Sequence, residues 1–208
     1  MQLEEDEPET DDGDDAPKPA APREAEGGVR GYKLLEKTRT LMLGATVDGE
    51  SVKRLAEGLI ILEAMDPDAP VNLIINSYGG HESSAFAAYD LIRFVRPPIR
   101  CIATGVAGGV AALVYCAVPK ERRFATPSTA FLLHQPFSGS LGSASDIELA
   151  AAELAKVRRR VLEALSSACG QSVDRIERDT RRKLTLDTEE AHAYGLVGKI
   201  ITGRAELV

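Results

Sequence analysis

The chain has no tryptophan, only five tyrosines and five phenylalanines, and three cysteines among its 208 residues. Each scarcity excludes something. No aromatic side chains interleave with the basic clusters Arg122-Arg123 and Arg158–Arg160, so a nucleic-acid surface of the stacking kind is not expected. Cys101, Cys116 and Cys169 are odd in number and lack metal-ligand spacing, which predicts buried free thiols in a reducing compartment and no metal centre. No apolar run approaches the roughly 20 residues that a bilayer-spanning helix requires. The opening MQLEEDEPETDD is the reverse of a basic segment followed by an apolar one, so no secretory signal is read there and a cytoplasmic protein is expected.

Positive charge is also lacking, and unevenly so. The net charge is -7. Residues 1–27 hold eleven acids against Lys18 and Arg23, which leaves 23 basic and 21 acidic side chains in the rest. The acidity therefore belongs to a tail. Four prolines and a closing Gly27-Gly28 accompany it, and almost nothing in it offsets the entropy of ordering, so residues 1–28 are predicted disordered. Residues 29–208 are expected to form one α/β domain.

The body alternates strand and helix patterns. Thr40–Leu43, Val71–Ile75, Ile99–Ala103, Thr129–Leu133 and Lys199–Ile201 read as strands. Val52, Leu55, Leu59 and Leu62 recur at three- and four-residue intervals, predicting a helix over 50–65 that Asp66-Pro67-Asp68 ends. A second helix runs to Arg96-Pro97-Pro98, and Gly109–Val118 reads as a buried one after a turn at Thr104-Gly105. Lys120–Arg123 reads as a basic turn. Asp146 is expected to cap a long helix reaching Cys169-Gly170, with shorter helices at 173–180 and 189–194. Such repetition implies a mostly parallel apolar sheet.

Chemistry in such a domain sits on glycine-rich turns at the carboxyl ends of strands. Two are present, Ser77-Tyr-Gly-Gly80 and Gly105-Val-Ala-Gly-Gly109. The Gly80 and Val110 amides are candidates to cradle an anion or a developing oxyanion. His134, closing an apolar strand before Gln135-Pro136, is a candidate acid or base, or simply a hydrogen-bonded strand-end histidine. His81 and His192 have no comparable setting.

Asn76-Ser-Tyr-Gly-Gly80, Tyr89-Asp90, Gly105-Val-Ala, Arg123-Phe-Ala, His134-Gln-Pro136, Gly170-Gln-Ser172 and Glu189-Glu-Ala-His-Ala-Tyr-Gly-Leu196 stand in an order that resembles the proteolytic subunit of the ATP-dependent Clp protease, from about Tyr32 to Thr202. The resemblance implies a crotonase-related spiral of strand–turn–helix repeats with a protruding handle. It also implies stacked seven-membered rings enclosing a chamber for unfolded polypeptide, and a partner ATPase that uses the ATP; this chain would need no cofactor. The family works through a serine–histidine–aspartate triad. By that resemblance His134 is the histidine, Gly109 stands where the serine belongs, Lys183 stands where the aspartate belongs, and the oxyanion amides are those of Gly80 and Val110.

Glycine has no oxygen with which to attack a peptide carbonyl. An ammonium at Lys183 opposes protonation of a nearby His134, the reverse of what a carboxylate does. The resemblance therefore implies a non-catalytic structural or regulatory member of a proteolytic barrel, assembled with itself or with an active paralogue. Two alternatives stay open: a serine endopeptidase with a relocated nucleophile at Ser83, Ser84 or Ser128, and a crotonase-like acyl-thioester enzyme using the Gly80 and Val110 amides. Asp179, one turn before Lys183, either approaches His134 or faces solvent. Residues 137–168 match the handle that joins rings, and Arg182 matches an arginine that crosses between them. Acidic tails gathered round an axial pore would repel one another and alter its gate.

Overall fold

The computed structural model of the chain describes residues 35, 37–136, 139 and 141–207. The acidic tail, the gate expected of it and the first residues of the handle segment lie outside these. Strand β1 (Thr40–Val47) leads through Asp48 into helix α1 (Gly49–Met65), and β2 (Val71–Gly80) into α2 (Glu82–Phe94). Strand β3 (Ile99–Gly108) is followed by the short helix α3 (Val110–Tyr115), then by β4 (Arg123–Ala125) and β5 (Ala130–Leu133). The long α4 (Ala144–Cys169), α5 (Val173–Thr180), β6 (Leu184–Leu186), α6 (Thr188–Tyr194) and β7 (Lys199–Ile200) complete the chain.

Helix α1 forms because Asp48 accepts the Ser51 amide while the Ser51 hydroxyl accepts the Asp48 amide, which satisfies two otherwise orphaned donors. Its stripe Leu55, Leu59 and Leu62 is buried to 2% exposure or less. Each such leucine stabilises the fold by about 1.5–3 kcal/mol through its transfer out of water. Helix α3 is buried at all six positions, so only small or apolar residues fit there.

Seven strands make one sheet, with β1, β2, β3, β4 and β7 in that spatial order and all parallel. Strand β3 is shared. Cys101–Ala103 pair with β4, whereas Val106–Gly108 pair with β5. The turn expected at Thr104-Gly105 is therefore a kink within a continuous strand, at which the sheet divides. That division carries β5 to the carboxyl end of β3, where the chemistry-bearing turns converge. Strand β6 pairs antiparallel with β5 and had no counterpart in the sequence reading.

Two further expectations change. Asp146 is not the cap of α4: Ser143 is, and Asp146 is the third helical residue that returns a hydrogen bond to the Ser143 amide. Arg123 belongs to no exposed basic turn. It opens β4 at 1% exposure, donates to the Ala168 carbonyl at 2.6 Å and approaches Cys116 Sγ at 3.6 Å. The three cysteines are free and buried, as their apolar settings suggest.

The first half of α4 is mostly exposed, and contact with the body starts at Arg158, paired with Glu177, and Arg160, over the Phe86 ring. Burial begins only at Val161 and Leu162 and continues at Leu165 and Cys169, whereas Leu141, Ile147 and Leu149 are exposed. Among the described residues no helix is long and apolar enough to cross a membrane.

Candidate functional site

The carboxyl ends of β2, β3 and β5 meet in one corner. Ser77 is buried and organises it: its hydroxyl donates to the Ala45 carbonyl across β1 and accepts the Gly79 amide at 3.1 Å. Gly80 then passes hard against β1, where a Cβ would fall 2.2 Å from the Val47 carbonyl oxygen. His81 donates its amide to that same carbonyl at 2.9 Å. Amides alternate sides along a strand, so the Gly80 N–H points the other way, toward β3. Val110 is the first residue of α3, where an amide has no acceptor within its own helix. Its nitrogen lies 3.4 Å from where a Gly79 Cβ would sit. Gly80 and Val110, whose amides the sequence singles out, line the same small cavity.

Gly109 forms the sharp corner between β3 and α3, with φ 49° and ψ -122°. A side chain is strained in that conformation, and such strand-to-helix corners are where hydrolases hold a nucleophile out toward substrate. Its amide donates to the Leu132 carbonyl at 2.7 Å, which stitches the corner to β5 and brings His134, two residues on, over it. A Cβ built on Gly109 would lie 3.1 Å from His134 Nε2 and 2.7 Å from Cε1. The missing side chain would therefore point at the imidazole, and the ring occupies part of the space that side chain would take. Gly80, Gly109, Val110 and His134 line one cavity of about 50 Å3.

Glu82, at the start of α2, lines the same cavity, and the sequence reading missed it. Its place two residues beyond Gly80, at the start of an amphipathic helix, was the available signal.

Lys183 immediately precedes β6 and is exposed. The antiparallel register pairs Phe131 with Leu186, Leu132 with Thr185 and Leu133 with Leu184. The ladder ends there, and His134 and Lys183 are the residues that follow β5 and precede β6. Gln135 fixes the next residue by donating to the Glu177 carbonyl at 3.0 Å. Asp179 is directed elsewhere: it accepts the Tyr194 hydroxyl at 2.9 Å and pairs with Arg175 at 3.5 Å. It is a partly buried structural acid rather than a solvent-facing one, and together with burial it pushes the Tyr194 phenol well above its ordinary pKa.

The serines weighed as substitutes are not in the cavity. Ser83 and Ser84 lie in the first turn of α2 without lining it. Ser128 is exposed before β5, whose length alone separates it from His134 by more than about 13 Å. His81 precedes α2 with no side-chain cap bond, and His192 is exposed on α6. Among the described residues no three His, Cys, Asp or Glu side chains are grouped to hold a metal ion.

The family described as Clp protease matches residues 23–204, a span that contains the whole sheet and every residue of this corner. The chain belongs to the Clp protease family. The ATP-dependent Clp protease proteolytic subunit 3 of Rhizobium meliloti (strain 1021) is 43% identical over 173 residues, which is 83% of this chain and 88% of that protein. The subunit of the same name from Rhizobium johnstonii is 39% identical over 173 residues, covering 83% and 89%. Among solved structures, a mutant of ClpP1 from Listeria monocytogenes superposes with a TM-score of 0.80 at 32% identity, covering 85% of this chain and 99% of that one. The fold is thus that of the Clp proteolytic subunits, and the chain is a homologue of them. The family match begins at residue 23, inside the stretch whose composition marks it as tail.

Proposed function

We propose that this chain is a non-catalytic member of a barrel-shaped Clp assembly, a structural or regulatory homologue of the proteolytic subunit. One observation carries the reading: at the corner where a nucleophile would face His134 there is a glycine, held in a conformation that strains any side chain. Losing the nucleophile of a serine triad lowers turnover by about 10⁶, leaving only what the oxyanion donors and binding supply. Lys183, which the resemblance puts where the triad aspartate belongs, adds a second defect, because an ammonium has no acceptor for a histidine N–H as a carboxylate does.

What remains is a peptide-binding corner. The Gly80 and Val110 amides are placed to hold a carbonyl oxygen, and His134 to contact the bound chain. A thioester substrate is a poor match for a cavity of about 50 Å3 lined by one acid, Glu82, rather than a pair. The exposed apolar residues Leu141, Ile147 and Leu149 fit a handle that meets its counterpart in a second ring, and Arg182, exposed before β6, fits a cross-ring contact. The partners are copies of this chain or an active paralogue in stacked seven-membered rings, a Clp-type ATPase that consumes the ATP, and unfolded polypeptide.

The test uses the purified chain alone and mixed with an active proteolytic subunit. Peptide hydrolysis and labelling by a serine-directed covalent probe are expected only in the mixture. Labelling of the isolated chain would overturn the proposal.

A further inference from the structure

Three guanidinium groups surround a cleft on the side of the sheet remote from the triad corner. Arg93 and Arg96, at the end of α2, and Arg122, just before β4, line a cavity of about 380 Å3 whose floor is Pro97, Pro98 and Pro119. All three are exposed. Among the described residues none pairs with a carboxylate; Arg93 leans on the Tyr89 ring at 5.3 Å. Asp90, one turn before Arg93 on α2, lies outside the cleft lining, and two further acids are placed elsewhere. Glu63 accepts the Arg96 backbone amide at 2.8 Å, and Glu121 sits between Lys120 and Arg122. The cleft lining contains no Asp or Glu.

The chain supplies its own complement. Residues 4–15 carry nine carboxylates and no basic group. The body is entered at the same end of the sheet: the Arg39 carbonyl accepts the Asn72 amide, and the Val71 amide reaches the Pro98 carbonyl. Because β1, β2 and β3 are parallel and adjacent, Arg39 stands two strand spacings, about 10 Å, from the Pro98 edge of the cleft. Twenty residues separate Asp15 from Leu35, a tether of up to about 66 Å. Reach is ample.

We infer that the acidic segment 4–15 docks in cis on the Arg93–Arg96–Arg122 cleft. Nine carboxylates facing unpaired guanidiniums form charge-assisted contacts that salt weakens, because exposed charges are screened over about 10 Å at 0.1 M. The docked segment neutralises the basic rim.

The assay is limited digestion of the full chain with glutamyl endopeptidase, following by mass spectrometry the cuts after Glu4, Glu5 and Glu9, which fall inside the docked segment, and not those after Glu24 or Glu26. At 30 mM salt, release is expected at least fivefold slower than from the free peptide 1–27, and 0.5 M salt is expected to erase the difference. R93Q/R96Q/R122Q is expected to release its tail at the free-peptide rate at both salts, with its melting curve checking that the body is folded. D11N/D12N/D14N/D15N, which leaves the body untouched and every cleavage site in place, is expected to do the same. Tail release from the native chain at the free-peptide rate in low salt overturns the inference, as does undiminished protection in either variant. Protection that vanishes when the assembly is diluted to monomers overturns the in-cis docking, by making a neighbouring copy's tail the occupant.

Discussion

Restoring the oxygen at residue 109 separates the two defects proposed for this corner. In Gly109→Ser the new side chain enters at φ 49°, ψ -122°, which costs about 1–3 kcal/mol of backbone strain. Its Cβ also meets His134 Cε1 at 2.7 Å, so the imidazole has to withdraw by several tenths of an ångström. The variant is expected to melt about 2–4 °C lower for each kcal/mol lost. It is also expected to react with a serine-directed fluorophosphonate that leaves the native chain unlabelled. On the proposed assignment reaction should be slow, because Lys183 takes the place of the carboxylate that holds the ring's tautomer; losing that carboxylate from a triad lowers turnover about 10⁴-fold. G109S/K183D is therefore expected to label and to cleave a short peptide about 10²–10⁴ times faster than G109S. In-gel labelling and hydrolysis of a fluorogenic peptide measure both. Equal rates for the single and double variants would refute the assignment of Lys183, and labelling of the native chain would refute that of Gly109.

Three further perturbations have definite signs. Ser77→Ala removes the hydroxyl that ties the Ala45 carbonyl to the Gly79 amide; neither of those residues is buried, so water can replace it in part and urea unfolding should show a loss of about 0.5–1.5 kcal/mol. Arg123→Met keeps the volume of a buried chain but strands the Ala168 carbonyl at the end of α4, with an expected loss of about 1–3 kcal/mol. Asp48 and Asp146 are held below the usual carboxylate range by Ser51 and Ser143, and Asp66 and Glu206 by nearby backbone amides. Their folded pKa values lie below the unfolded ones, so this stabilisation is complete above about pH 5 and fades as pH falls through the carboxylate range. Thermal melts from pH 6 to pH 3 should show a falling midpoint, with a shallower fall in the D48N/D146N variant.

Periodicity made the helices legible. The 3.6-residue stripe of α1 and the capping residues around α5 and α6 sit within a residue or two of where side-chain spacing puts them. Strand ends were less legible. Strands β1, β2 and β3 run past their apolar stretches into Gly-, Ser- and Asn-rich segments, because backbone pairing with a neighbour holds them there, and no local pattern carries that information. Three-residue β4 and β6 are too short for any period, and Arg123 and Leu184 gain their strand partners only from the tertiary fold. In the corner, Gly80, Gly109, Val110 and His134 were each nameable from motif and order. What spacing could not supply was Glu82 as a lining residue, or Asp179 committed to Tyr194.

The two departures proposed for this corner are mutually consistent as physics, which argues against reading Gly109 as a lone accident on an otherwise working site. A serine at φ 49° stores strain whose use is to present a nucleophile. Without the nucleophile that strain has no function, and glycine relieves it while leaving the corner's hydrogen bond to Leu132 in place. A carboxylate beside a histidine serves to stabilise the imidazolium formed when the serine proton is taken up. With no serine there is no such proton, and on the proposed assignment that position tolerates Lys183, exposed just before β6. The amides of Gly80 and Val110 persist for a different reason. They belong to turns that the sheet requires whatever the chemistry, since Ser77 and the Val47 carbonyl fix one and the β3–α3 junction fixes the other. On the proposed reading the corner grips a carbonyl without attack or proton transfer, so a bound peptide should protect His134 from acylation by diethyl pyrocarbonate without itself being cut.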